Sequence, residues 1–525
     1  MRLALLLLFI AACAMPSCRR EEPTTWNTEV LAPVAHGRIT LANLVSDTLL
    51  QADEDGLWHL LLHESLTDLN LDSLVALPDT VIEKIVDIPL IGGPFTIPNN
   101  TTLIDENDNN LININDVEMK QVVLKSGLLK YKLKSYINGY IDFAYTLPGV
   151  TLNGVPVVIN TIALPAVGET PSIYEGEINL AGYNLDMTGE TGFMHNRVHS
   201  HTVVKTWADA PQPAVVYGDD YVKIELEFHE PMVQYARGYF GHHIYTFNED
   251  VDFSDDINLP VGMLNIDDAY MHLNIRNAVG ADMRVQFSNI AAHNSAFNQD
   301  VQLMHAPLYQ AINIERASDD NGSVTATSYN FDLNTLNSNI DEFIENLPNQ
   351  LNVLAEVELN PLKNNTDGND FIYTDDALSA TFDLDIPLRV GMQSLTMRDT
   401  MLLASDLVLE ASGELKLLVT NTFPFSTTIT AYIVSADGSM LGDFIPTQTI
   451  EEATATAQPM ETIAANSQIA IPVSQHIINQ MKAGNGIVVI IALDTPAYPT
   501  TAGLYSHHYI DYILVADGVV QVEIE

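Results

Sequence analysis

Cysteine is almost missing from this chain. Cys13 and Cys18 are the only two in 525 residues, and both lie near the N-terminus. No disulfide framework can hold the rest together, so its stability must come from buried apolar surface. Cations are scarce as well. Lys and Arg number 22 against 68 Asp and Glu, for a net charge of −46. Phosphate backbones are bound by clustered Lys and Arg, so nucleic acid is excluded as a partner. The apolar run at residues 3–14 is shorter than the roughly 20 residues that span a bilayer as a helix. Catalytic signatures are also wanting. The chain has no GxSxG elbow, no phosphate-cradling loop, no dinucleotide fingerprint and no HExxH, and it is read as non-enzymatic.

What is present begins with a leader. Arg2, the apolar run and the small residues after it form a secretion signal over residues 1–17. Two cysteines compete for its end. Residues 10–13 (IAAC) fit the strict lipobox but imply an unusually short leader. Residues 15–18 (MPSC) fit it more loosely at a normal length, and Cys18 is taken as the lipidation site. The stretch SCRREEP resembles the start of mature lipoproteins of the Bacteroidota type. In that group acidic residues just after the cysteine accompany export to the surface, and Glu21 and Glu22 stand there. The resemblance implies an outer-membrane lipoprotein, on the periplasmic or cell-surface side, attached to the membrane through its N-terminal lipid. Buried acyl methylenes each contribute about 0.8 kcal/mol to such an anchor.

Hydrophobic residues make up 47% of the chain, enough for sizeable cores rather than disorder. Their arrangement repeats. YKLKSYINGYIDFAYTL at residues 131–147, YMHLNIRNAVGADMRVQFSNI at 270–290 and ELKLLVTNTFPFSTTITAYIV at 414–434 each alternate, cross an Asn, and alternate again. Period-two alternation predicts half-buried strands, and Asn tolerates the turn conformation between them. The crossing residues are Asn138, Asn277 and Asn421.

Three further correspondences follow the same order. GYNLDM (182–187) parallels SYNFDL (328–333), and the segment around Pro231 parallels that around Pro387. Helices expected at 338–347 and 474–482, each opened by a Ser, precede apolar strands. The hairpin with its central Asn is loosely similar to the late-embryogenesis-abundant β-sandwich. The fold expected is therefore mainly all-β: tandem antiparallel β-sandwich-like modules with a few short helices. A lipidated tether is expected at 18–35 and a β-rich segment at 36–107, with residues 58–66 as a strand. Modules follow at 108–250, 251–395 and 396–525.

The strongest ligand signal is DENDNNLININD at residues 105–116. It resembles the calcium loop of EF-hands and dockerin modules, which implies Ca2+ held by Asp105, Asn107, Asn109 and Asp116 at loop positions 1, 3, 5 and 12. Asn110 replaces the usual Gly. The acidic runs at 248–256 and 364–370 read as solvated linkers or loops. His195, His199 and His201 cluster, and His242-His243 and His507-His508 form pairs. Without Cys or HExxH they read as structural histidines rather than a zinc site.

The function expected is that of a binding or scaffolding component of the envelope, such as an accessory subunit that partners an outer-membrane protein. A lipid- or glycan-binding surface protein is the alternative, and a divergent hydrolase the second alternative.

Overall fold

Alternation becomes strand almost throughout. The computed structural model describes residues 24–524 apart from 44, 70, 115, 253–261, 321, 365, 403–413, 436, 457–461, 473 and 484–485. The fold is all-β, built of antiparallel pairs with a few short helices. Cys13, Cys18 and the leader lie outside the described residues. Two compact units emerge. One falls within Met1–Leu60, Ser254–Asp267 and Pro387–Glu525, the other within Leu61–Phe253 and Asp268–Ile386.

The second unit begins with a ten-stranded sheet. Its main path runs Asp370–Tyr373, Tyr221–Tyr239, Glu118–Ser135, Asn184–Asp186, Ile141–Leu152, Arg197–Thr206 and Thr102–Leu111. Strand Arg197–Thr206 shows the rule by which the strands bury one face: Val198, Ser200, Thr202, Val204 and Thr206 are buried while the residues between them are half-exposed.

A sandwich follows in the same unit. Strands Trp58–Leu69, Leu378–Pro387, Tyr270–Asn277 and Thr327–Asn334 make one sheet. His243–Asp252, Gln350–Leu359, Met283–Asn294 and Gln299–Gln302 make the other, with Ile312–Ile314 beside Met283–Asn294. Leu66, Ile275 and Leu378 from the first meet Phe287, Val353 and Val357 from the second around a residual space of about 20 Å³. The core is thus closely filled.

The first unit repeats this plan. Thr24–Ile39, Ile510–Ile524, Glu414–Asn421 and Ala465–Pro472 form one sheet. Leu395–Leu402, Gly486–Leu493, Thr427–Val434 and Met440–Ile450 form the other. The Tyr512 hydroxyl donates to Asp399 on the facing sheet, and burial with that carboxylate pushes the phenol pKa up strongly. Residues 24–35, expected as tether, are strand instead. Thr24 opposes Ile524 and Ile39 opposes Ile510, with a bulge between Pro33 and Ala35. Proline cannot donate to a ladder, so Pro33 sits where the register shifts. The segment expected at 36–107 is likewise divided. It carries Trp58–Leu69 as predicted, but Thr80–Asp87 and Thr102–Leu111 join the ten-stranded sheet.

The crossing residues explain the repeat. Asn277 and Asn421 are both fully buried at the end of a strand. Asn277 Oδ1 accepts the Val279 N–H at 2.9 Å, and its Nδ2 donates to Ala281 and Glu315 carbonyls at 3.0 Å each. Asn421 Oδ1 accepts the Phe423 N–H at 2.9 Å, and its Nδ2 donates to Phe425 and Glu451 carbonyls at 3.1 and 2.9 Å. Each amide satisfies three backbone groups where the chain leaves one sheet for the other.

In the first repeat the equivalent residue is Ser135, not Asn138. Ser135 ends its strand, is buried, and accepts the Ile137 N–H at 3.4 Å, whereas Asn138 is exposed. Register confirms the place. Ser135 opposes Ser172 and Val222, Asn277 opposes Thr327 and Leu378, and Asn421 opposes Ala465 and Ile510.

The same register pairs Leu226 with Tyr131 and Phe382 with Leu273, so the two proline segments do correspond. It does not support GYNLDM against SYNFDL. Asn184 opposes Val123, far from the corner, and the strand opposite the corner in the first repeat is Ser172–Asn179. The helices are Ile340–Glu345 and Gln475–Ala483, each followed by a strand. Ser474 accepts the Ile477 N–H at 3.3 Å as an N-cap. Ser338 donates to the Asn334 carbonyl at 2.8 Å instead, and Asn339 opens its helix.

Candidate functional site

In the second unit, the sheet of His243–Asp252, Gln350–Leu359, Met283–Asn294 and Gln299–Gln302 turns one face to its core and the other to solvent. On the outward face the register aligns two rows. Asp250, Asn352, Ala291 and Gln302 form one, and Asp252, Gln350, His293 and Asp300 the other. Neighbouring strands stand about 4.8 Å apart, and successive rows about 6.8 Å.

A bulge makes this face. Strand Met283–Asn294 buries Met283, Val285 and Phe287, but beyond the register shift between Phe287 and Asn289 it buries Ile290, Ala292 and Asn294. One extra residue moves Asn289, Ala291 and His293 to the outside. Ala291 then leaves a gap in a row of longer side chains. The result is a cleft of about 490 Å³ over Ala291, walled by Asn289, Asn352, Gln350, His293 and their neighbours. That volume lies within the roughly 300–1,000 Å³ of small-molecule sites.

The wall is polar and pre-set. Asn289 Nδ2 donates to Asn352 Oδ1 at 3.0 Å, and Asn352 Nδ2 donates to Asp250 Oδ1 at 2.8 Å. Gln350 Nε2 donates to Asp252 Oδ2 at 3.2 Å. His293 Nδ1 lies 2.7 Å from Asp300 Oδ1, so with the proton on Nδ1 the neutral ring presents Nε2 as an acceptor. The cleft therefore offers carboxylate and amide acceptors with some amide donors. Its lining residues include no lysine, arginine, cysteine, serine or threonine. Such a surface takes hydrogen-bond donors and rejects anions.

The expected calcium residues lie elsewhere and are not arranged as a loop. Asp105, Asn107 and Asn109 alternate along strand Thr102–Leu111, while Asp116 stands beyond its end in a left-handed turn. An extended backbone spaces such side chains about 6.8 Å apart and cannot wrap them around an ion. They meet other partners. Asp105 Oδ1 bonds His201 Nε2 at 2.8 Å, Asn107 Oδ1 bonds His199 Nε2 at 3.1 Å, and Asn109 Oδ1 accepts the Glu190 N–H at 2.6 Å. His199 and His201 do share one strand face, but His195 lies apart, 3.8 Å from Glu118.

The other histidines also part company. His242 Nε2 bonds Glu358 at 2.7 Å, and that hydrogen bond, with Arg284 beside it, holds the Glu358 carboxyl below its usual range. His508 is buried and its Nδ1 accepts the Tyr505 N–H at 3.2 Å, which keeps the ring neutral. Burial, then the neighbouring His507, pushes its pKa down to about 3.

The acidic runs divide likewise. Residues 248–252 are strand and bring Asp250 and Asp252 to the cleft rows, while 253–256 lie outside the described residues. Asp370, read from sequence as part of a loop, is fully buried. It accepts from Thr366 at 2.5 Å, Asn360 at 3.2 Å and Arg316 at 3.2 Å, and burial raises its pKa against those bonds.

No protein-family model and no curated protein matches this chain. Among solved structures, a protein from Parabacteroides distasonis described as secreted aligns with TM-score 0.27 and 14% identity. The alignment covers 53% of this chain and 89% of the other. An archaeal virus protein with a triple jelly roll fold, part of a turret assembly, aligns at 0.12 and 10% identity over 84% and 90%. No helix among the described residues is long and apolar enough to cross a membrane.

Proposed function

We propose that this chain is a non-enzymatic lipoprotein of the bacterial outer membrane, anchored through Cys18, whose second unit binds a hydroxyl-rich glycan in the cleft over Ala291. The observation that carries the reading is the cleft wall. Sugar hydroxyls donate well to carboxylates and exchange hydrogen bonds with amides, and Asp250, Asn289, Asn352, Gln350 and Asp300 supply both. The acidic surface disfavours anionic ligands. A lipid ligand finds less support, because the apolar space between the two sheets of the same sandwich holds about one water. Scaffolding of an outer-membrane partner is compatible with this role, since the cleft takes up only one face of one sheet.

The test is a calorimetric titration of the full chain with neutral oligosaccharides, beside an Ala291→Phe variant. Ala291 faces the cleft but is itself buried, so the variant's fold is checked by circular dichroism before binding is compared. Binding by the parent and at least tenfold weaker binding by the variant are expected. Equal binding by both, or none by either, overturns the reading.

A further inference from the structure

A second cluster in the same unit, unrelated to the glycan cleft, has the geometry of a metal site. Strand Tyr221–Tyr239 carries Glu227 and His229 two residues apart, so both point to one face. Strand Thr80–Asp87 pairs antiparallel with it, Thr80 opposite Phe228, which brings Asp79 alongside His229. His229 Nδ1 lies 3.2 Å from Asp79 Oδ2 and 3.2 Å from Glu227 Oε1. One ligand atom from each of the three residues falls within 4.8 Å of the others.

A shared proton accounts poorly for this arrangement. An imidazole nitrogen carries one hydrogen, which can aim at one acceptor. A charge-assisted bond to that acceptor would run to about 2.7–2.9 Å. Here two carboxylates stand at equal and longer distances. An ion among the three atoms accounts for it well. With metal–ligand bonds of about 2.0–2.1 Å, the atoms of a tetrahedral site stand about 3.3 Å apart.

The surroundings fit. Asp79 Oδ1 accepts the Glu230 N–H at 2.7 Å, which leaves Oδ2 to face His229, the kind of outer contact that orients a ligand. Glu230 reaches it because the backbone turns there, with φ of 46° and a register shift between His229 and Met232. Lys130 Nζ stands 3.6 Å from the same Glu227 Oε1, a long contact that the ion would displace. Glu227 and His229 are half-buried and Asp79 is exposed, so water can complete the coordination.

We propose that Asp79, Glu227 and His229 bind one divalent transition-metal ion, zinc by preference for a mixed nitrogen and oxygen set, which ties the start of strand Thr80–Asp87 to strand Tyr221–Tyr239. Its role is structural. The test uses the full chain, stripped with chelator and titrated with zinc, with metal content read by mass spectrometry and melting followed by circular dichroism. One zinc per chain and a raised melting temperature are expected, with both lost in His229→Ala and zinc binding at least tenfold weaker in Glu227→Gln and Asp79→Asn. The two amide variants keep shape and exposure, so they decide the matter if His229→Ala fails to fold. Undiminished zinc binding in the amide variants, or none by the parent, overturns the proposal. Either result leaves the glycan reading standing.

Discussion

The sandwich of the first unit and that of the second share a core plan and differ on their outward faces. In strand Gly486–Leu493 the inward residues Ile487, Val489, Ile491 and Leu493 are buried. In strand Gln350–Leu359 the inward residues Val353, Ala355, Val357 and Leu359 are buried in the same order. Register aligns the two strands, with Leu359 opposite Met283 and Leu493 opposite Thr427. Between these positions the faces part. Asn352, Glu356 and Glu358 occupy the outward places where the first unit has Gly486, Ile490 and Ala492. The partner strand is polar outward in both, with Asn289 and His293 in the second unit and Thr428, Thr430 and Tyr432 in the first, and there the difference is the register shift alone. What the two sandwiches share answers to folding. What separates them is a set of polar, mostly half-buried side chains on strand Gln350–Leu359, and in strand Met283–Asn294 a bulge that the first unit's strand Thr427–Val434 does not place in the same register. That difference is the ground for placing the proposed ligand site on the second unit's face.

If the shared plan is real, breaking it should hurt both units alike. Asn277→Ala and Asn421→Ala each take the side-chain partner from two buried backbone groups and one part-buried carbonyl, and about 3 kcal/mol of stability should be lost from the unit concerned. Ser135→Ala removes one long bond and should cost about 1 kcal/mol. Urea unfolding followed by fluorescence and amide exchange measures all three. Equal, small losses at the three corners would break the comparison.

Acid should separate the units next. Folded His508 stays neutral down to about 3, while the unfolded chain takes up that proton near 6.5. Between those values the unfolded state binds more protons, so the first unit loses stability as pH falls through the window. About 2.5 kcal/mol should go between pH 6 and 4, and His508→Asn, whose carbonyl can accept the same N–H, should flatten the slope. A melting curve indifferent to pH in this range would contradict it.

The smallest effect is expected in the ladder once read as a calcium loop. Asp105→Asn should change stability by no more than about 0.5 kcal/mol, because its pair with His201 is exposed. Calcium should leave the melting temperature of this segment unchanged, as differential scanning calorimetry can show.

Much of the fold was legible because a half-buried strand must alternate. The runs at 131–147, 270–290 and 414–434 declared strands, a crossing and a return, and the two helices announced themselves by spacing. Two of the failures share a cause. A single inserted or irregular residue shifts every side chain beyond it to the other face, and alternation cannot reveal where that happens. The bulge between Phe287 and Asn289 hid the cleft, and the one at Pro33 hid the first strand inside an expected tether. Asn138 was mistaken for the corner because a buried Ser135 three residues earlier performs part of the same task with a hydroxyl. The Asp/Asn run at 105–116 matched a loop by composition, but its partner strand at 197–206 forces it to extend. Asp79 lies 150 residues from His229, and nothing local signals that they meet.

The account's central claim is that ligand recognition belongs to the second unit's outward face. Hydrogen exchange of the full chain, with and without a bound oligosaccharide, tests it most directly. Protection is predicted at residues 289–293, 300–302 and 350–352, with strands Leu395–Leu402 and Gly486–Leu493 unchanged. Protection confined to those strands of the first unit would contradict the claim.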